Sequence, residues 1–136
     1  MSDRKPTYKN KLLCTKNIIA LMNNFIEAGY FGIVEGVFAE QDLLDCLKTK
    51  INGTYKLIRL HCAREICYER DKNSDRPFVC GKNCIDIAYN LYEANAKNNL
   101  EEIVIDNSNT SVDKVVDLIV DAIKSKTPSL NGATRI

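Results

Sequence analysis

The chain reads as an α/β protein, with three layers, a mostly parallel sheet and helices on both of its faces. Three observations predict this. Helical and extended apolar patterns alternate along the whole chain. The extended runs are short and nearly continuous in apolar residues, as in strands buried on both faces. Strands separated by helices need crossover connections, and those place neighbouring strands parallel.

The first helical pattern carries Ile18, Leu21, Met22, Phe25 and Ile26, and Gly29 follows as its C-terminal cap. Tyr30–Glu35 is then expected as a buried strand. Glu40–Thr49 repeats the helical spacing through Leu43, Leu44 and Leu47, and Asn52-Gly53 marks a turn. Tyr55–Cys62 reads as a second strand and Ala63–Lys72 as a helix, followed by a polar loop with Pro77 and Gly81. The helix expected over Asn83–Lys97 aligns Ile85, Ala88, Tyr92 and Ala96 on one stripe. Glu102–Asp106 is a third buried strand. Thr110-Ser111-Val112-Asp113 supplies capping chemistry for a last helix with Val112, Val115, Val116, Ile119, Val120 and Ile123 on its apolar face. Residues 1–15 form a polar N-terminal segment, 16–124 the α/β domain and 125–136 a flexible polar tail.

Composition narrows the function classes. Hydrophobic residues make up 45% and charged residues 27% of the 136, as expected for a globular chain. A formal net charge of +1 supplies no global attraction to nucleic acid or to an anionic membrane. No apolar stretch reaches the roughly 18 residues of a membrane span. The polar start Met1-Ser2-Asp3-Arg4-Lys5 leads into no signal-peptide core, so a cytoplasmic protein is expected. Of the six cysteines, Cys62, Cys67, Cys80 and Cys84 cluster near the single histidine, His61. Their C-x4-C and C-x3-C intervals differ from the C-x2-C knuckles of structural zinc sites. Structural thiols and no metal are therefore expected, with a thiol or zinc protein as an alternative.

In a parallel sheet, ligands bind beyond the carboxyl ends of the strands. That directs attention to Glu35-Gly36-Val37, His61-Cys62-Ala63-Arg64 and Asp106-Asn107-Ser108. An acid at a strand end such as Glu35 can hold a magnesium-bound water or accept a substrate proton, or else cap a neighbouring helix. Arg70 and Arg76 flank a polar loop where guanidinium groups can clamp phosphates, or make surface ion pairs with Glu69, Asp71 or Asp75. The Asn- and Ser-rich turn after Asp106 suits base contacts and equally the start of a helix.

Three stretches together resemble the small-molecule and nucleotide kinase branch of the P-loop NTPases, the shikimate, gluconate and adenylylsulfate kinase sort. Residues 27–38 resemble its helix, glycine, buried strand and terminal acid; 58–70 with Arg76-Pro77 resemble its strand, helix and arginine-bearing lid. Residues 103–111, with Val115, Val116 and Ile119, resemble its last strand, the loop beside the base and the closing helix. The resemblance covers about residues 16 to 124 and implies an ATP- and magnesium-dependent phosphotransferase acting on a small molecule. It implies catalytic roles for Glu35, Arg70 and Arg76 and nucleotide contacts from Asp106, Asn107 and Ser108.

One element of the pattern is missing. The phosphate loop G-x-x-x-x-G-K-[ST] is absent, since the sole Gly-Lys pair, Gly81-Lys82, precedes Asn83 and Arg76 stands five before Gly81. The fold is therefore expected to be incomplete: a truncated product or a remnant, inactive alone, with a non-catalytic binding module as the alternative. A missing central strand also leads to an expectation of self-association.

Overall fold

The computed structural model describes residues 7–77 and 79–125. It falls into two compact units divided between Gly53 and Thr54.

The first unit is a helical pair. Helix α1 (Tyr8–Glu27) starts where Thr7 Oγ1 accepts the Asn10 amide at 3.3 Å. It begins well before the expected position: residues 8–15, expected as part of a polar N-terminal segment, form its first two turns. Its C-terminus follows the sequence reading closely. Gly29 sits at φ +83°, a left-handed conformation that side chains disfavour. The Gly29 amide bonds the Ile26 carbonyl and the Tyr30 amide bonds that of Phe25, completing a Schellman cap. The Phe25 and Tyr30 rings meet edge-on, centroids 6.1 Å apart, across that cap. Helix α2 (Gln41–Lys50) buries Leu43, Leu44 and Leu47 together with Ile19 and Thr15 of α1.

The strand expected at Tyr30–Glu35 does not form. Residues 31–35 belong to no sheet, and Phe31, Ile33 and Val37 stay about three-quarters exposed. A strand is stable only when its amides and carbonyls find a neighbouring ladder, and among the described residues of its unit there is no ladder to join. Glu35 therefore does not stand at a strand end.

The second unit is mixed α/β. Strands β1 (Ile58–His61) and β2 (Ile103–Asp106) pair in parallel, Ile58 opposite Ile103 and His61 opposite Asp106. The connection runs through α3 (Arg64–Lys72), α4 (Lys82–Asn95) and a 3₁₀ turn, Ala96–Asn98. Helix α5 (Val112–Lys124) follows, its N-cap Ser111 accepting the Lys114 amide at 3.3 Å as the sequence suggests. Its apolar stripe is less covered than its pattern implies: Val115 is buried, whereas Val112, Val116, Val120 and Ile123 remain exposed. The Lys56 ammonium closes its far end by donating to the Ala122 and Ser125 carbonyls, where a cation is favoured. Ile85, Ala88, Tyr92 and Ala96 share a half-buried stripe as the spacing predicts. At the amino end of the sheet, Arg59 Nε meets Glu102 Oε2 at 2.8 Å, both side chains largely buried, and Arg59 Nη1 lies 3.5 Å from Glu93. Among the described residues, no helix is long and apolar enough to cross a membrane.

Candidate functional site

The carboxyl ends of β1 and β2 lie side by side because the strands are parallel and in register. The ladder continues one step beyond them, the Asn107 amide donating to the His61 carbonyl at 2.8 Å. Ser108 then joins the two strand ends. Its hydroxyl accepts the Ala63 amide at 2.8 Å, and Ala63 is the N-cap of α3 with no side-chain acceptor of its own. The Ser108 amide in turn donates to Asp106 Oδ1 at 2.7 Å, an Asx-type turn. Bonding from the Ser108 hydroxyl and amide, with His61 nearby, holds the Asp106 carboxyl below the usual carboxylate range.

Arg70 reaches this turn from α3. Its Nη2 donates to the carbonyls of Asn107 at 2.7 Å and Ser108 at 3.0 Å. Its Nη1 lies 3.3 Å from Asn107 Oδ1 and 3.5 Å from the Cys62 sulfur. The fork thus straddles the turn after β2 and the end of β1. An open pocket of about 480 Å³ adjoins it, lined by Ile66, Glu69, Arg70, Asn73, Ser108 and Asn109. Arg70 and the Asp106-Asn107-Ser108 turn are therefore brought together. Ile66 and Asn73 lie four residues before and three after Arg70, on α3 and at its end, and Glu69 stands directly before Arg70. That periodicity was available in the sequence.

Arg76 is engaged elsewhere. Its Nη2 pairs with Asp71 Oδ1 at 3.1 Å and its Nε donates to Ser74 Oγ at 2.7 Å. Asp71 is buried and organises the whole loop, since it also accepts the Cys80 amide at 3.0 Å and the Gly81 amide at 2.8 Å. Those two amide bonds, then the Arg76 charge, hold its carboxyl below the usual range. Sequence reasoning treated Asp71 only as a surface partner for arginine. Its role as the acceptor for two amides nine and ten residues away leaves no periodic signal. Glu35 belongs to the first unit and is exposed.

A second polar cluster rivets α3 to α4. Arg64 lies over the Tyr89 ring, 4.4 Å from its centroid, and donates to Asp86 at 3.3 Å and Asn90 at 2.7 Å. Tyr68 and Lys82 also bond Asp86, which holds that carboxyl low, and bonds to the Tyr68 hydroxyl and then to Asp86 hold the Lys82 ammonium high. Every member has a partner within the cluster, which marks it as a structural seam.

Cys62, Cys67, Cys80 and Cys84 are free thiols, and among the described residues no three His, Cys, Asp or Glu side chains gather as an ion site. Comparison with protein-family models, curated proteins and solved structures finds no match to this chain.

Proposed function

We propose that this chain is a P-loop-kinase-like nucleotide-binding domain of ATP-dependent, small-molecule phosphotransferase type, in which β1, β2 and their helices are part of a three-layer α/β arrangement. The observation that carries this reading is Arg70, held at the carboxyl edge of a parallel strand pair beside an open pocket. Such edges are where α/β sheets bind ligands. The three motifs quoted from the sequence supply the kinase and ATP-magnesium part of the reading.

In this reading Arg70 exchanges the carbonyls of Asn107 and Ser108 for phosphate oxygens. That exchange is favourable because a bidentate, charge-assisted bond to phosphate outweighs a bond to a neutral carbonyl. Asn107, Ser108 and Asn109 then offer amide and hydroxyl groups toward the base. Arg76 holds the loop through Asp71 and reaches phosphate only by leaving that pair. The 136 residues contain no phosphate loop of their own, so the chain by itself is expected to bind without turnover.

Calorimetric titration with magnesium-ATP tests this. Saturable binding is expected, weakened about tenfold or more by Arg70→Ala, which corresponds to about 1.4 kcal/mol. Arg76→Ala should weaken it less. Absence of any binding heat from folded protein sinks the nucleotide reading. Transfer of phosphate to a small hydroxylated acceptor by the chain alone would overturn the expectation of binding without turnover.

A further inference from the structure

We propose that Cys62 and Cys67 form a redox-active dithiol at the carboxyl end of β1, a modification site that reacts with small organic disulfides and closes to an intramolecular bond.

The placement follows from how the chain enters α3. Ala63 is the N-cap of that helix, so Cys62 occupies the position before the cap and Cys67 the fourth helical position. Those are the two places whose side chains meet at a helix start, normally as a hydrophobic staple. Here both staple members are thiols. The Cys67 sulfur turns back toward the Cys62 carbonyl, 3.8 Å away, and the Cys67 amide bonds the Ala63 carbonyl at 3.0 Å, which fixes the turn between them. Both side chains are half-buried, and neither is sealed from solvent. Nearby, Arg70 Nη1 stands 3.5 Å from the Cys62 sulfur, a cation beside the atom that must attack as a thiolate.

The two thiols are not equivalent. Burial, then a hydrogen bond to Cys62, pushes the Cys67 thiol up to about 11. Cys62 is thus the attacking sulfur and Cys67 the resolving one. In the first step the Cys62 thiolate attacks one sulfur of a small organic disulfide. The S–S bond of that molecule breaks, a mixed disulfide forms on Cys62, and one small thiolate leaves and takes up a proton. This step also removes the Cys62 contribution that raises Cys67. The Cys67 thiolate then attacks the Cys62 sulfur and expels the second small thiolate. Two protein thiols are oxidised by two electrons, and one organic disulfide is reduced to two thiols. The assignment is independent of nucleotide binding.

The sequence allows a clean test. Lysine and arginine place all six cysteines on separate tryptic peptides, with Cys62 on 60–64 and Cys67 on 65–70. The folded chain is incubated with glutathione disulfide, free thiols are blocked by alkylation, and peptides are mapped by mass spectrometry. The expected first product is peptide 60–64 joined to 65–70, lighter by two hydrogens than the reduced pair. Unfolding in denaturant should abolish this preference. Cys67→Ser should trap glutathione on Cys62, and Cys62→Ser should remove the reaction at Cys67. Cys14, Cys80 and Cys84 are more exposed, so exposure alone predicts that they react first. Modification in that order, or unchanged labelling of Cys67 in Cys62→Ser, overturns the proposal. The wild-type map decides the matter even where a variant fails to fold.

Discussion

Two stretches that the sequence pattern marks as strands meet different fates. Ile58–His61 becomes a strand, whereas residues 30–35, no less apolar, join no strand ladder among the described residues. The difference lies outside both segments. Ile103–Asp106 comes back through a helical crossover to lie parallel to the first, and its amides and carbonyls find partners there. Residues 31–35 follow a tight Schellman cap and lead into α2, with no returning strand among the described residues of their unit. The apolar character of a short run describes what it prefers to bury and leaves the ladder partner unspecified. The same contrast extends to the loops. Residues 107–108 are held by Arg70 and residues 80–81 by Asp71, but among the described residues no such side-chain acceptor or donor gathers residues 31–38.

The largest effect that would sharpen this comparison is expected at Ile105, which is 6% exposed at the centre of β2. Ile105→Ala should cost about 2–4 kcal/mol in denaturant unfolding of the second unit. A neutral result would mean that the β1–β2 pair is no better anchored than residues 30–35.

Asp71→Ala comes next. It should leave the Cys80 and Gly81 amides without an acceptor, lower the melting temperature by several degrees and open residues 73–81 to limited proteolysis. Acidification should mimic it. Asp71, Asp86 and Asp106 are all held below the usual carboxylate range. Their folded forms therefore favour the ionised state. The stability they contribute is complete above the unfolded value of about 3.9 and is lost as pH falls through their lower folded values. A stability profile flat from pH 5 down to pH 2 would argue against these bonds.

Ser108→Ala removes the hydroxyl that accepts the Ala63 amide, at an expected cost of about 1 kcal/mol, measured as a shift in urea midpoint. The smallest effect is expected at Ile33, which is 77% exposed. Ile33→Ala should change stability by less than about 0.5 kcal/mol. A loss as large as that of Ile105→Ala would reveal a partner for residues 30–35 and erase the contrast between the two stretches.

Much of the local structure was legible in the residues. Leu43, Leu44 and Leu47 announced a buried helical face, Gly29 a left-handed cap, and Ser111 an N-cap, because each acts within a few residues of itself. The approximate position of β1 and β2 and their parallel sense followed from the alternation of patterns. The strand-end rule singled out Asp106, Asn107 and Ser108, whereas Arg70 was singled out separately for flanking a polar loop, and their meeting is a feature of the tertiary structure. Three further features were decided only in the tertiary structure. Arg76 went to the buried Asp71 and Ser74; the expected strand at 30–35 went unpaired; and the stripe of α5 stayed largely uncovered. Each depends on what stands opposite a residue in space. Periodicity encodes which face a segment offers, but the group that meets that face is set by chain return across tens of residues.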